Sequence, residues 1–109
     1  MFDQWLREMR GSSDLLDILI EEGIRQSIQA GYPTPIFYMR TLMNLGTVPG
    51  ISRLVLSGTI QSGFRKLCEM GLSDWTCEKA VLHFPDRFSS QVVSVAKFRL
   101  DNVNDPALR

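Results

Sequence analysis

Apolar residues recur along this chain at intervals of three and four, the spacing that lines one side of an α-helix, and glycine or proline breaks the pattern at distances suited to short helices. A long run of alternating apolar and polar residues, the mark of a strand, is absent. The pattern predicts a short helix over Phe2–Met9, halted at Gly11, after which Ser12, Ser13 and Asp14 offer side-chain oxygens to the unpaired amides of a second helix. That helix is expected over Asp14–Ala30, closing at Gly31. Its Leu15, Leu16, Ile18, Leu19 and Ile20 cover well over half of the circumference, and Ile24 and Ile28 prolong the stripe.

Thr34 and Pro35 read as a cap and a first-turn proline for a third helix ending at Leu45. In it Ile36, Phe37, Tyr38, Met39, Leu42, Met43 and Leu45 leave only Arg40, Thr41 and Asn44 as a polar strip, so this helix is expected to be largely buried. Gly46–Gly50 is expected as a loop, and Ile51–Met70 as helical up to Gly71. At 100° per residue the stripe changes sides near Ser57 and Gly58: Ile51, Leu54 and Val55 face one way, Ile60, Phe64 and Leu67 the other. Either the helix breaks there, with Ser57 capping the second part, or one continuous helix touches neighbours on both sides. Ser73 or Asp74 starts a helix that Pro85 ends, and a last helix over Ser89–Asp101 turns Val92, Val93, Val95, Ala96 and Leu100 inward. The expected fold is all-α, a single irregular bundle of five to six short helices built around the second and third, with residues 1–101 as one domain and 102–109 as a flexible tail.

Composition narrows the class. The 109 residues, 44% of them hydrophobic and 22% charged, suffice for a core without disulfides or metal. Twelve basic and twelve acidic side chains cancel, so any attraction to an anionic partner is local. The first ten residues mix charge into their apolar positions, unlike a secretion signal, and no segment approaches the roughly 18 apolar residues of a membrane span. These features point to a cytoplasmic protein with no membrane partner, and Cys68 and Cys77 then read as reduced thiols.

The chemistry-bearing residues are sparse. His83 is the sole histidine and has no identifiable partner for base catalysis. One histidine and two cysteines fall short of a zinc set, and no phosphate-binding or dinucleotide motif occurs, so no catalytic residue, metal or cofactor is expected. Asp14, Asp17, Glu21 and Glu22 read as a solvated face that complements a helix dipole in preference to a divalent-ion site.

Charge placement is less ordinary. No acidic residue occurs between Glu22 and Glu69, whereas Arg25, Arg40, Arg53, Arg65 and Lys66 all do. Arg40, Arg53, Arg65 and Lys66 are candidate contacts to an anionic partner, although pairing of these cations with the Asp14–Glu22 cluster is the preferred reading. The last two helices, joined at Pro85-Asp86-Arg87, resemble a helix-turn-helix in geometry alone, with Ser90, Gln91 and Ser94 as base readers and Arg87, Lys97 and Arg99 at phosphates. Trp5, Leu15, Leu19 and Ile20 are candidate interface residues of a homodimer. The functional expectation is therefore a small non-enzymatic regulatory protein that works through protein contacts. A DNA-binding regulator using residues 73–101 stands second, and a small-ligand binder or enzyme third.

Overall fold

A computed structural model describes residues 2–57 and 61–103. They are all-helical, with no strand among the described residues. The helices are α1 (Phe2–Arg10), α2 (Leu15–Gln29), α3 (Ile36–Leu45), α4 (Thr47–Leu56), α5 (Gln61–Glu69), α6 (Cys77–His83) and α7 (Ser90–Asn102), with 3-10 turns at Ser73–Trp75 and Pro85–Arg87. The seventh α-helix arises at the anticipated break: α4 ends at Leu56, and Ser57 is extended, with ψ 135°. Gly58 and Ile60, on which part of that reading rested, lie outside the described residues, as does 104–109 of the expected tail, whereas Asn102 is still helical.

Three consecutive hairpins make up most of the structure: α1 lies on α2, α3 on α4, and α6 on α7. α4 joins the second and third hairpins by packing on both α6 and α7, α2 reaches α6 and the Ser73–Trp75 turn, and α5 rests on that same turn. The core follows from helical spacing. Leu16, Ile20 and Ile24 line α2 at every fourth residue, Ile51, Leu54 and Val55 line α4, and Val92 and Ala96 line α7. The Cα radius of gyration, 13.1 Å, matches the roughly 13 Å of one close-packed unit of about 100 residues.

Side-chain caps fix the starts of three helices. Asp14 accepts the Leu16 amide into α2, Thr76 the Lys79 amide into α6, and Ser89 the Val92 amide into α7. Thr76 is the point of departure from the expected start at Ser73 or Asp74. The chain first makes a 3-10 turn there, then extends at Thr76 (ψ 156°) before α6 begins. Pro35 likewise precedes α3 instead of opening it, with the Ile36 amide donating to the Thr34 carbonyl.

The expected loop at Gly46–Gly50 is instead the first turn of α4. Gly46 serves as both the end of α3 and the start of α4, at φ +90°, a left-handed value that lets one glycine reverse the chain. Pro49 falls in the first turn of α4, where its missing N–H leaves no helical bond unmade. Gly50 then allows close approach: a Cβ there would lie 2.7 Å from Leu42 Cδ2 and 3.1 Å from its Cα.

The burial expected of α3 is the larger correction. Only Met39 and Leu42 are buried, and α4 is its main neighbour, so one face is covered while Ile36, Phe37 and Leu45 stand exposed. The centre of the molecule is made by α2, α4, α6 and α7 instead of by α2 and α3.

Candidate functional site

Two features stand apart from ordinary packing: a cavity with four aromatic residues in its lining beside a buried ion pair, and the uncovered face of α3.

The ion pair joins α6 to α7. Val92, Ala96 and Arg99 follow one another at four and three residues, so Arg99 falls on the inward stripe of α7 and is 8% exposed. Its Nη1 donates to Glu78 Oε2 at 3.0 Å and its Nη2 to the Ser57 carbonyl at 2.7 Å, tying α7 to α6 and to the end of α4. Glu78 is 1% exposed, and its other oxygen, Oε1, accepts from Cys77 Sγ at 3.2 Å. Burial, with Glu78 adding, pushes the Cys77 thiol well above its ordinary pKa, so it stays protonated and serves as a donor.

The cavity, about 80 Å³ and half-open, adjoins this pair. α2 forms one wall, where Gly23 lets the Trp75 backbone approach: a Cβ at Gly23 would stand 2.8 Å from the Trp75 carbonyl oxygen. Tyr32 and Tyr38 line it from the α2–α3 connection and from α3, Phe64 from α5, and Trp75 from the 3-10 turn. Gly63 on α5 gives room to Tyr32, whose hydroxyl would lie 2.9 Å from a Cβ at that position. Glu78 is the one formally charged residue among the described lining, and no lysine, arginine or histidine lines it. Tyr38 is desolvated here. Burial raises its phenol well above the ordinary value of 10, and Cys77 and Glu78 raise it further.

The uncovered face of α3 is centred on Phe37, 68% exposed. At 100° per residue Arg40, Thr41 and Asn44 share its direction, opposite Met39 and Leu42, while Ile36 and Leu45 flank it.

The residues singled out in the sequence fall as follows. Arg40, Arg53 and Lys66 are exposed on three different helices, and none makes an ion pair among the described residues; Arg65 is half-buried. Two members of the acidic cluster, Glu21 and Asp14, are in ion pairs, mostly with other cations. Glu21, 1% exposed, accepts from Arg10 at 3.1 Å and from Arg25 at 3.3 Å, and Asp14 holds Arg87 through both carboxylate oxygens at 3.0 and 2.9 Å. Asp17 accepts from Ser12 and Thr47. Glu21 is thus no solvated residue: its place on the inner side of α2 is compensated by two surface arginines.

For the helix-turn-helix reading, Ser90, Gln91, Ser94 and Lys97 do share the outer face of α7, but Lys97 pairs with Asp101 at 3.2 Å. Arg87 is engaged by Asp14, and Arg99 is corrected from a phosphate contact to a core residue, because its helical position points inward. Among the interface candidates Leu15 is 67% exposed, Trp5 and Leu19 are half-buried against the core, and Ile20 belongs to the core itself.

Among the described residues no group of three or more histidine, cysteine, aspartate or glutamate side chains converges on a metal position. No helix among them is long and apolar enough to cross a membrane. His83 and Arg40 are both exposed and outside the cavity. Sequence reasoning missed the cavity and its buried pair. The signal for Arg99 was present in its spacing from Val92 and Ala96, but the convergence of Tyr32, Phe64 and Trp75 depends on how α5 and the 3-10 turn pack.

Comparison with known proteins adds no relative: no protein-family model, no curated protein and no solved structure matches the chain.

Proposed function

We propose that this chain is a non-catalytic regulatory protein that acts through protein contacts and pairs with a second copy of itself along the outer face of α3. The observation that carries the reading is Phe37, 68% exposed at the centre of a helix face with Ile36 and Leu45 uncovered on its flanks. Leaving aromatic and aliphatic surface in water forgoes about 25 cal/mol per Å², and large exposed rings are the usual anchors of interfaces. A two-fold axis passing α3 near Thr41 sets Phe37 of one copy beside Leu45 of the other, and the converse, which is the self-complementary contact a symmetric dimer needs. No acidic residue lies on α3, so Arg40 has no carboxylate in its own helix and is available to the partner. A reducing, cytosolic setting suits Cys68 and Cys77, neither of which is in a disulfide.

Light scattering coupled to size exclusion at micromolar concentration tests this. The expected result is twice the monomer mass for the native chain and the monomer mass for Phe37→Glu, with the two sharing one circular-dichroism spectrum. A monomeric native chain removes the self-pairing.

A further inference from the structure

The cavity lies between α2, α5, the start of α3 and the Trp75–Glu78 segment, and its lining favours a particular chemistry. We propose that it is a binding site for a trimethylammonium group, held against the rings of Tyr32, Tyr38, Phe64 and Trp75 beside the carboxylate of Glu78.

Three observations lead there. The first is size. At about 80 Å³ the cavity has roughly half the ~150 Å³ at which an apolar cavity takes up benzene, which suits a head group of about four or five non-hydrogen atoms. Because the cavity is half-open, whatever carries the head group can extend into solvent.

The second is charge. Four aromatic residues and one carboxylate line the space, with no cationic side chain among the described lining. Aromatic faces attract cations through the ring quadrupole, most strongly where water is excluded. The Glu78 carboxylate, although paired with Arg99 at 3.0 Å, and the negative faces of aromatic rings both disfavour an anion.

The third observation separates one kind of cation from the others. The carboxylate of Glu78 and the hydroxyls of Ser27 and Thr76 are spent within the protein, which leaves the two phenols as the side-chain oxygens open to a ligand. Glu78 Oε1 accepts from Cys77 and Oε2 from Arg99. Ser27 Oγ donates to the Gly23 carbonyl at 2.7 Å, and Thr76 Oγ1 donates to the Ser73 carbonyl and accepts from the Lys79 amide. A primary ammonium or a guanidinium would give up its water and find few acceptors, and unsatisfied donors are costly to bury. A quaternary ammonium has no N–H, so it keeps the cation–π attraction without that cost. Two sources present such a group: a small choline-like molecule and a trimethylated lysine on a peptide.

The test is a titration of the native chain followed by NMR, reading the Trp75 indole with the Trp5 indole as internal control. Choline and a short trimethyllysine peptide are the two cationic probes, and 3,3-dimethylbutan-1-ol, choline's uncharged carbon isostere, and the unmethylated peptide are their comparisons. The expected result is a saturable shift of Trp75 but not Trp5 with at least one cationic probe, and binding of its comparison weaker by about tenfold or more. Whichever cationic probe binds more tightly names the source. Failure of both probes to shift Trp75 up to millimolar concentration overturns the proposal, and so does an isostere that binds as well as choline, since the cavity would then be selecting shape alone. Tyr38→Leu is expected to abolish the shift and Tyr38→Phe to retain it. Gly63→Ala, which crowds only the tip of Tyr32, gives a second disturbance of the wall should Tyr38→Leu fail to fold. Neither result depends on self-pairing, which light scattering reads separately.

Discussion

Single residues decide this fold where backbones approach. Gly50 has the α3 backbone within 3.3 Å of where a Cβ would be, at the Thr41 carbonyl and Leu42 Cα, so the helices must separate to admit a methyl. Gly50→Ala is therefore expected to lower stability by about 1–3 kcal/mol despite its better helix propensity, measured as a drop in the denaturant midpoint. Gly63→Ala should do far less, because the atom it meets is the end of a tyrosine side chain. The Glu78–Arg99 pair follows a different logic. Removing one member strands a charge that is almost completely buried, so Arg99→Met alone should cost about 3–5 kcal/mol, whereas Glu78→Leu combined with Arg99→Met should recover most of it. A double variant as unstable as the single one would mean that the bond from Arg99 to the Ser57 carbonyl matters more than the charge pairing. Arg99 also shows how far one residue could be read from the chain. Its register on the last helix was legible, but a charged residue is assigned outward by default, and Glu78 and the Ser57 carbonyl, both distant in sequence, make its burial tolerable.

Among the elements, the best-read ones carry local signals. Asp14, Gly31 and Ser89 mark boundaries through groups within a few residues, and α2 and α7 were legible to within one residue, whereas Pro85 marked only the end of α6, whose start was placed three or four residues too early. α4 was misread at its start because glycine and proline at Gly46–Gly50 suggest a loop, although both are compatible with a helix's first turn. α3 was misread for the opposite reason. Its apolar composition gives a wide stripe, but whether a neighbour covers each side is a property of the assembly. The two faces of α3 can be separated experimentally. Leu42→Ala, at a fully buried position, is expected to cost about 2–5 kcal/mol, while Phe37→Ser, compared at a dilution where the native chain is monomeric, should change the unfolding free energy by no more than about 0.5 kcal/mol. Equal losses at both positions would mean that Phe37 is covered within the monomer.

At the scale of the whole molecule, the helical class was legible from periodicity, whereas the partnering of α4 with α6 and α7 and the aromatic-lined cavity were not, since no local pattern specifies which helices meet. The assembled charge and burial pattern fixes how stability should change with pH. Burial, with smaller contributions from Glu78 and Glu69, raises the Cys68 thiol from its ordinary value of 9.0 to about 11, and burial raises Cys77 and Tyr38 as well. Such groups stay protonated in the folded chain while the unfolded chain ionises, so above pH 9 the unfolded state binds fewer protons and is favoured. Stability should fall progressively from pH 9 to about 11, with the Tyr38 contribution entering above 10. On the acid side the sign reverses. The Arg87 guanidinium, through its hydrogen bonds, holds the Asp14 carboxyl below its ordinary 3.8, so that pair's contribution is complete above pH 3.8 and lost as pH falls beneath it. Asp14 and Arg87 are both solvent-accessible, so solvent screening makes this limb shallow compared with the alkaline one. Urea midpoints measured from pH 3 to 11 test the assignment. The native chain should hold a plateau to pH 9 and then decline, and Cys68→Ser should make that decline less steep. A native midpoint unchanged at pH 11 would show that these thiols and the phenol ionise in the folded protein as they do in water.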